Sequence, residues 1–327
     1  MPLINSSFAP GQAQATVDAF QDPDQRQIAQ AELYYFSGHA QECRNIAELY
    51  LQDKDLCLRL SAGLLYSFSN LTLGNPSASR MGFRNIQECL RLAEENSASE
   101  EVMASCVFAG YLATVLMHLP ADGLPPLKDF LPYLPAGIRA YAIYILAHNA
   151  YLNEEYERAL GLCQSVFLML DGCYPIAMEY LYCVIIMCLN NQKKHEEARE
   201  ILLKAWNMAK PDGFLEPFIE HHGLMLGQIE ACIKPTEPEN YKRLSQAVIA
   251  FSRSWMDIHN PQLQSSVTDK LTPMEFSIAM LASKGWTNRE IADHLSMSVN
   301  TIKHYLSRIF QTLGVEKREE LKPFVNK

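Results

Sequence analysis

The strongest constraint on this chain lies near its C-terminus, where LTPMEFSIAMLASKGWTNREIADHLSMSVNTIKHYLSRIFQTLGVEKR runs from Leu271 to Arg318. Helix start and stop signals are written out there. Thr272 is a good N-cap, Pro273 suits the first helical position, and Glu275 stands three residues after the cap. Together they make a capping box, in which each side chain satisfies an orphan backbone N–H. Leu271 before the cap and Phe276 inside the helix can pair as a hydrophobic staple. Gly285 supplies the positive φ that ends the helix. The pattern then repeats, with Thr287 as cap, Glu290 closing a second box, and Trp286 and Ile291 bracketing it. This second helix covers roughly Asn288 to Leu295. After the turn Met297-Ser298, Ser298 caps a third helix that runs to Gly314.

In the third helix Ile302, Leu306, Ile309 and Leu313 follow helical spacing and form one buried stripe. Asn300, Lys303, His304, Ser307, Arg308 and Gln311 lie off that stripe. A short helix, a tight turn and a longer helix therefore share one small core, and the longer helix keeps a polar face able to donate hydrogen bonds. That is the physical description of a helix-turn-helix whose second helix enters the major groove of DNA.

The stretch resembles the LuxR-type (NarL/FixJ-like) helix-turn-helix, whose pattern is L-T-x-x-E, then G-x-[ST]-N-[KR]-E-I-A, then S-x-x-T-[VI]-K and a closing [KR]-L-[GN]-V-x-x-R. The matching residues are Leu271, Thr272, Glu275, Gly285, Thr287, Asn288, Arg289, Glu290, Ile291, Ala292, Ser298, Thr301, Ile302, Lys303, Leu313, Gly314, Val315 and Arg318. The resemblance covers about a sixth of the chain. It implies double-stranded DNA as partner, with Lys303, His304 and Ser307 facing base edges. Asn288, Arg289, Thr301 and Arg308 fall near phosphates, which position a protein without specifying sequence. There are departures: Tyr305 stands where the family has His, and Thr312 where it has a basic residue. A fourth helix, often the family's dimer contact, is expected after Arg318, but Pro323 should break it after barely a turn and a half. A homodimer is expected to make its contacts elsewhere.

Charge divides in keeping with this. Residues 269–327 carry nine Lys and Arg against seven Asp and Glu, a net +2 that leaves the other 268 residues at −11. An acidic body with a mildly basic tail places any nucleic-acid contact at the C-terminus. Taken alone, the basic residues of Ser298 to Arg318 would read as a solvated helix face; the motif around them reverses that.

Upstream, residues 1–24 hold Pro, Gln, Ser, Asp and Gly with few large apolar groups, and are expected to form a flexible arm with a short helix near Gln14 to Phe20. Residues 25–234 look helical almost throughout, rich in Ala, Leu, Glu, Gln, Tyr and Met, with apolar residues recurring at three and four. Breaks are expected at Asn75 to Ser79, Pro120 to Pro126, Pro132 to Gly137, Asp171 to Pro175 and Pro211 to Gly213. Three stretches repeat one idea, a polar turn followed by a helix with a small residue at a fixed place: Gly38 to Cys43, Asn153 to Ala159 and Gln192 to Ala198. Ala31 and Ala147 precede two of those small residues by twelve positions. This resembles the tetratricopeptide repeat, although the last two instances lie 39 residues apart rather than 34 and the repeat's early aromatic is missing. An irregular helical bundle is the alternative. Residues 235–268 read as a linker holding one amphipathic helix, Tyr241 to His259, which either packs on the array or pairs two copies.

The fold class expected is all-α: a TPR-like helical array or solenoid, then a four-helix LuxR-type domain over residues 269–327. No secretory signal is visible, and the longest apolar stretch, Tyr180 to Leu189, is too short to span a bilayer. Nine scattered Cys without C-x-x-C read as small buried residues in a reducing cytoplasm. His221-His222 has no further ligand at metal spacing, and Tyr180, Tyr182, Met187 and Cys188 read as core rather than a ligand groove. No phosphate-binding G-x-x-x-x-G-K-[ST], G-x-S-x-G or H-E-x-x-H occurs, and no β/α alternation suggests a phosphate-accepting receiver. The sequence therefore points to a cytoplasmic DNA-binding transcription regulator, not an enzyme, with no cofactor or metal. Its array is expected to sense a peptide, a small molecule or a partner protein. The alternative is a TPR-like interaction adaptor whose C-terminal domain has little DNA affinity.

Overall fold

The computed structural model describes residues 1–117, 123–259 and 271–325, and every regular element among them is a helix. The array begins with α1 (Ala13–Asp18), α2 (Pro23–Phe36), α3 (Ala40–Leu49), α4 (Leu56–Thr72) and α5 (Pro76–Glu95). It continues through α6 (Glu100–Val115), α7 (Leu127–Phe130), α8 (Ala136–Leu152), α9 (Tyr156–Met169), α10 (Pro175–Asn191) and α11 (His195–Ala209). Two short helices, α12 (Glu216–His221) and α13 (Gln228–Cys232), precede the long α14 (Pro238–His259). None of these is long and apolar enough to cross a membrane.

One local device recurs in four of the array's hairpins. The hairpins α2/α3, α4/α5, α8/α9 and α10/α11 each close through a left-handed residue: Gly38 (φ 79), Gly74 (φ 76), Glu154 (φ 62) and Lys193 (φ 61). In each, the next N–H reaches back five residues: His39 to Tyr34 O, Asn75 to Asn70 O, Glu155 to Ala150 O and Lys194 to Leu189 O, all at 2.8–2.9 Å. This is the Schellman closure, which satisfies carbonyls left over at a helix end. Five residues past each left-handed position stands a small, fully buried side chain: Cys43, Ser79, Ala159 and Ala198. A small residue there lets the paired helices approach closely. The second of these hairpins corrects the sequence reading, which placed a break over Asn75 to Ser79; α5 resumes at Pro76, and Ser79 is the repeat's small residue.

The array curls until its first and last inner helices meet on α12. Leu215 N–H donates to Phe36 O at 2.7 Å, and the Phe36 ring stands edge-on to Tyr180 and Phe214. The Tyr180 hydroxyl donates to Glu220 at 2.7 Å, and Tyr35 donates to the same carboxylate. His221 bonds Tyr144 at 2.9 Å and Pro217 O at 2.7 Å, while His222 bonds Glu230 at 2.7 Å, so the two histidines serve different buried networks.

Residues 1–24 are not loose. Leu3, Ile4, Phe8, Ala13 and Val17 are buried in the array's core, and Asp212 accepts the backbone N–H groups of Gly11 (2.7 Å) and Ala13 (2.9 Å). The segment's polar composition hid a few well-placed apolar side chains. α14 packs on α4, α5 and α12, burying Leu244, Val248 and Phe251, and the Trp255 indole donates to Leu116 O at 3.1 Å. Of the nine cysteines, Cys57 is exposed and Cys173 half-buried, against the expectation that all are core.

The C-terminal domain, α15 (Pro273–Ser283), α16 (Asn288–His294), α17 (Val299–Leu313) and α18 (Lys322–Val325), sits on the last hairpin of the array. Lys193 pairs with Glu290 at 2.7 Å and lies over the Trp286 ring. The His195 ring contacts both Trp286 and His294, and Lys284 donates to Asn191 at 2.9 Å. His294 Nε2 bonds Leu226 O at 2.7 Å, and Leu226, itself left-handed (φ 53), joins the domain's core. Pairing with Lys193, together with the Thr287 cap bonds, pulls the Glu290 carboxyl down to about 2, while burial pushes the His294 imidazole down to about 4.

Two outcomes follow from this packing. Ala159→Leu, Ala198→Leu and Ser79→Leu each overpack a close helix contact and should destabilise by about 1–3 kcal/mol in thermal melts; an unchanged melt for all three would mean these positions do not set the helix spacing. For His294, the unfolded chain protonates near pH 6.5, the folded one only near 4. Between those values the unfolded state holds more protons, so stability falls as pH drops. Relative to a His294→Gln variant, wild type should lose up to about 3 kcal/mol from pH 7 to pH 4. Parallel pH profiles of the two melts would show that this imidazole stays solvated.

Candidate nucleic-acid interface

Local caps position the interface. Both boxes form: Thr272 N–H donates to Glu275 at 2.8 Å and Glu275 N–H to Thr272 Oγ1 at 3.3 Å, with 2.7 Å and 3.2 Å for Thr287 and Glu290. Ser298 Oγ accepts the Thr301 N–H at 3.0 Å and starts α17, which Gly314 (φ 69) ends. Ile302, Leu306, Ile309 and Leu313 point into a core with Ile278, Leu281, Ile291, Leu295 and Trp286.

With that stripe buried, the other side of α17 is left to solvent. Lys303, His304 and Ser307 are all exposed, flanked by Asn300 and Gln311. Fifteen residues of helix extend about 22 Å, and the face they present fits a groove about 12 Å wide. The array packs against α16 and the turn before it, and leaves this face open.

The residues expected near phosphates fall into two groups. Arg289 and Thr301 are exposed, although Thr301 Oγ1 shares a 2.8 Å hydrogen bond with Ser298. Asn288 and Arg308 also have partners inside the domain. Arg308 Nε bonds Glu275 Oε1 at 2.7 Å while two-thirds of the Arg side chain stays exposed. Glu275 is buried, so one carboxylate both caps α15 and orients a guanidinium on α17. Asn288 Oδ1 accepts from Arg318, whose other amino group donates to Trp286 O. Arg318 thereby clamps the turn that launches α16. Motif matching picked out Arg318 without revealing this role, which depends on a fork reaching back some thirty residues.

The segment after Arg318 differs from the helix expected there. A 3₁₀ turn, Arg318–Leu321, comes first, and α18 restarts at Lys322 with Pro323 second in it, where a missing N–H is harmless. Leu321 is fully buried in the domain core and Phe324 packs against it.

Residues 269–324 match the family described as bacterial regulatory proteins, luxR family. The chain is 26% identical over 155 residues to the HTH-type transcriptional regulator MalT of Serratia proteamaculans, an alignment covering 41% of this chain and 17% of that protein. It is 25% identical over 143 residues to the MalT of Klebsiella pneumoniae subsp. pneumoniae, covering 39% and 16%. It thus spans about a sixth of the length of these curated relatives. No solved structure matches. Box, turn, exposed helix face and sequence match agree, and residues 269–324 are a LuxR-family helix-turn-helix domain.

Proposed function

We propose that the chain is a sequence-specific, DNA-binding transcription regulator of the cytoplasm, in which the helical array governs the C-terminal domain it carries. The observation that carries this reading is the exposed Lys303–His304–Ser307 face, on a helix whose opposite stripe is buried, within a domain of the LuxR family. Lys303 and His304 sit near the helix N-terminus, which reaches furthest into the groove in this docking mode. Lys303 suits the acceptors on guanine, with His304 and Ser307 at neighbouring base edges. Arg289, Thr301 and the exposed amino groups of Arg308 take phosphates, with Asn288 at the margin.

A mobility-shift assay on random duplexes at low and moderate salt tests the reading against an adaptor without useful DNA affinity; no shift at low salt would favour the adaptor. Within the regulator reading, Lys303→Ala should relax the selected sequence and cost about 1–3 kcal/mol at one base position. Arg289→Ala should weaken binding to all sequences equally and lower the salt slope by about 1. Arg289 is the cleaner phosphate probe, because Arg308→Ala would also strand the buried Glu275 carboxylate. A selected motif unchanged by Lys303→Ala would remove that residue from base reading.

The active form is a homodimer whose contacts lie outside residues 316–327, since Leu321 and Phe324 are spent on the domain's own core. Deleting that segment would strip the Arg318 clamp, so the test is Glu319→Arg with Lys322→Glu, both at exposed positions. Light scattering should report an unchanged dimer mass. A dimer that falls to monomer would place the interface on this segment after all.

A further inference from the structure

Residues 1–8 enter the array as a guest would. They form no helix: Asn5 and Ser6 N–H groups turn back on Met1 and Leu3 carbonyls, and the chain then runs out along the wall. Leu3, Ile4 and Phe8 are at most 7% exposed, and the wall around Ile4 is assembled from α2, α4, α6, α8 and α12. Met1 and Ile4 touch a residual cavity of about 20 Å³, lined by Tyr35, Leu64, Phe68, Leu112, Tyr141 and Glu220 among others, with room for about one water.

The wall meets both the main chain and the short polar side chains of the segment. Leu3 N–H donates to Glu32 at 2.7 Å, Phe8 N–H to Cys173 O at 2.8 Å, Gly137 N–H to Asn5 Oδ1 at 3.1 Å and Cys173 N–H to Ser7 Oγ at 3.1 Å. A Cβ on Gly137 would lie 2.4 Å from Ile4 O and 2.6 Å from the Asn5 Cα, so only glycine admits the segment there. Glu220 also lines the cavity, where Tyr35 and Tyr180 occupy its two oxygens.

We propose that the lumen of the array is a binding site for a short apolar peptide, and that residues 1–8 occupy it as an internal competitor. The fitting ligand has apolar side chains at its third, fourth and eighth positions and N–H donors for Glu32 and Cys173 O. The site connects to the DNA-binding domain through a short piece of chain. Glu220 lies on α12, and six residues on is Leu226, the carbonyl on which His294 is seated. A peptide that shifts α12 relative to residues 1–8 would therefore change that seat, to the extent that it binds the two arrangements differently. This deepens the sensing half of the proposed function.

The test needs no DNA, so its failure would leave the DNA-binding reading standing. A protease site is inserted after Phe20, in the connection between α1 and α2 where Gln21 and Asp22 are exposed. The folded full chain is cut there, and a fluorescent synthetic peptide of residues 1–20 is added. The cut chain should exchange its fragment for the labelled peptide with saturable anisotropy. An Ile4→Asp peptide should bind about 100-fold more weakly or worse, since it would bury a lone carboxylate. The uncut chain should bind about 100-fold more weakly, because its tethered segment competes at millimolar effective concentration. No exchange, equal binding by cut and uncut chains, or loss of helical circular dichroism on cutting would each show that residues 1–8 are permanent core. Hydrogen exchange on the unmodified chain provides a second reading: the Leu3 and Phe8 amides should exchange faster than those of α4 and α10, and equal protection would overturn the proposal.

Discussion

The Glu220 carboxylate holds the array closed. It accepts hydroxyls from Tyr35 on the first inner helix and Tyr180 on the last, joining elements far apart in sequence. Burial raises its carboxyl to about 7, and the two tyrosines offset part of that by bonding the charged form. A buried carboxylate with two donors is worth keeping only if both partners stay in place, since losing either leaves an acceptor unsatisfied in an apolar interior. With α12 pinned there, a stack of hairpins becomes a curled body with a filled lumen. The chain leaving α12 is also held where the C-terminal domain needs a seat.

That seat divides the helix-turn-helix domain into two working sides. Glu290, His294 and Trp286 face the α10/α11 hairpin; Lys303, His304 and Ser307 face away. Glu290 serves twice, closing a capping box and accepting Lys193. Glu275 also serves twice, closing the other box and holding Arg308. The acidic residues of a local helix-start signal thus double as tertiary anchors, tying cap geometry to the placement of the exposed face. The same Lys193 that adopts the left-handed turn of the last hairpin makes the ion pair, linking repeat geometry to docking.

Electrostatics favour this division. The body carries −11 and the tail +2, so the array repels phosphate while the C-terminal domain attracts it. DNA can therefore approach from the α17 side.

Sequence alone determined most of what is set within one helical turn. Thr272 with Glu275, Thr287 with Glu290, and Ser298 place the helix starts, and Gly285 and Gly314 the ends, because a cap and its partner are three or four residues apart. The 3.6-residue period decided that Ile302, Leu306, Ile309 and Leu313 are core and that Lys303 is not. The small residues Cys43, Ala159 and Ala198 were legible for the same reason, whereas Asn75 to Ser79 passed as a simple break since Pro76 starts a helix as readily as it ends one. Only the tertiary structure decided that Leu3, Ile4 and Phe8 are buried, that Arg318 clamps Trp286 and Asn288, and that Glu220 joins α2 to α10. Those contacts span from thirty to nearly two hundred residues. No local spacing encodes them; they form only once the helices have packed and burial has made each unpaired polar group costly.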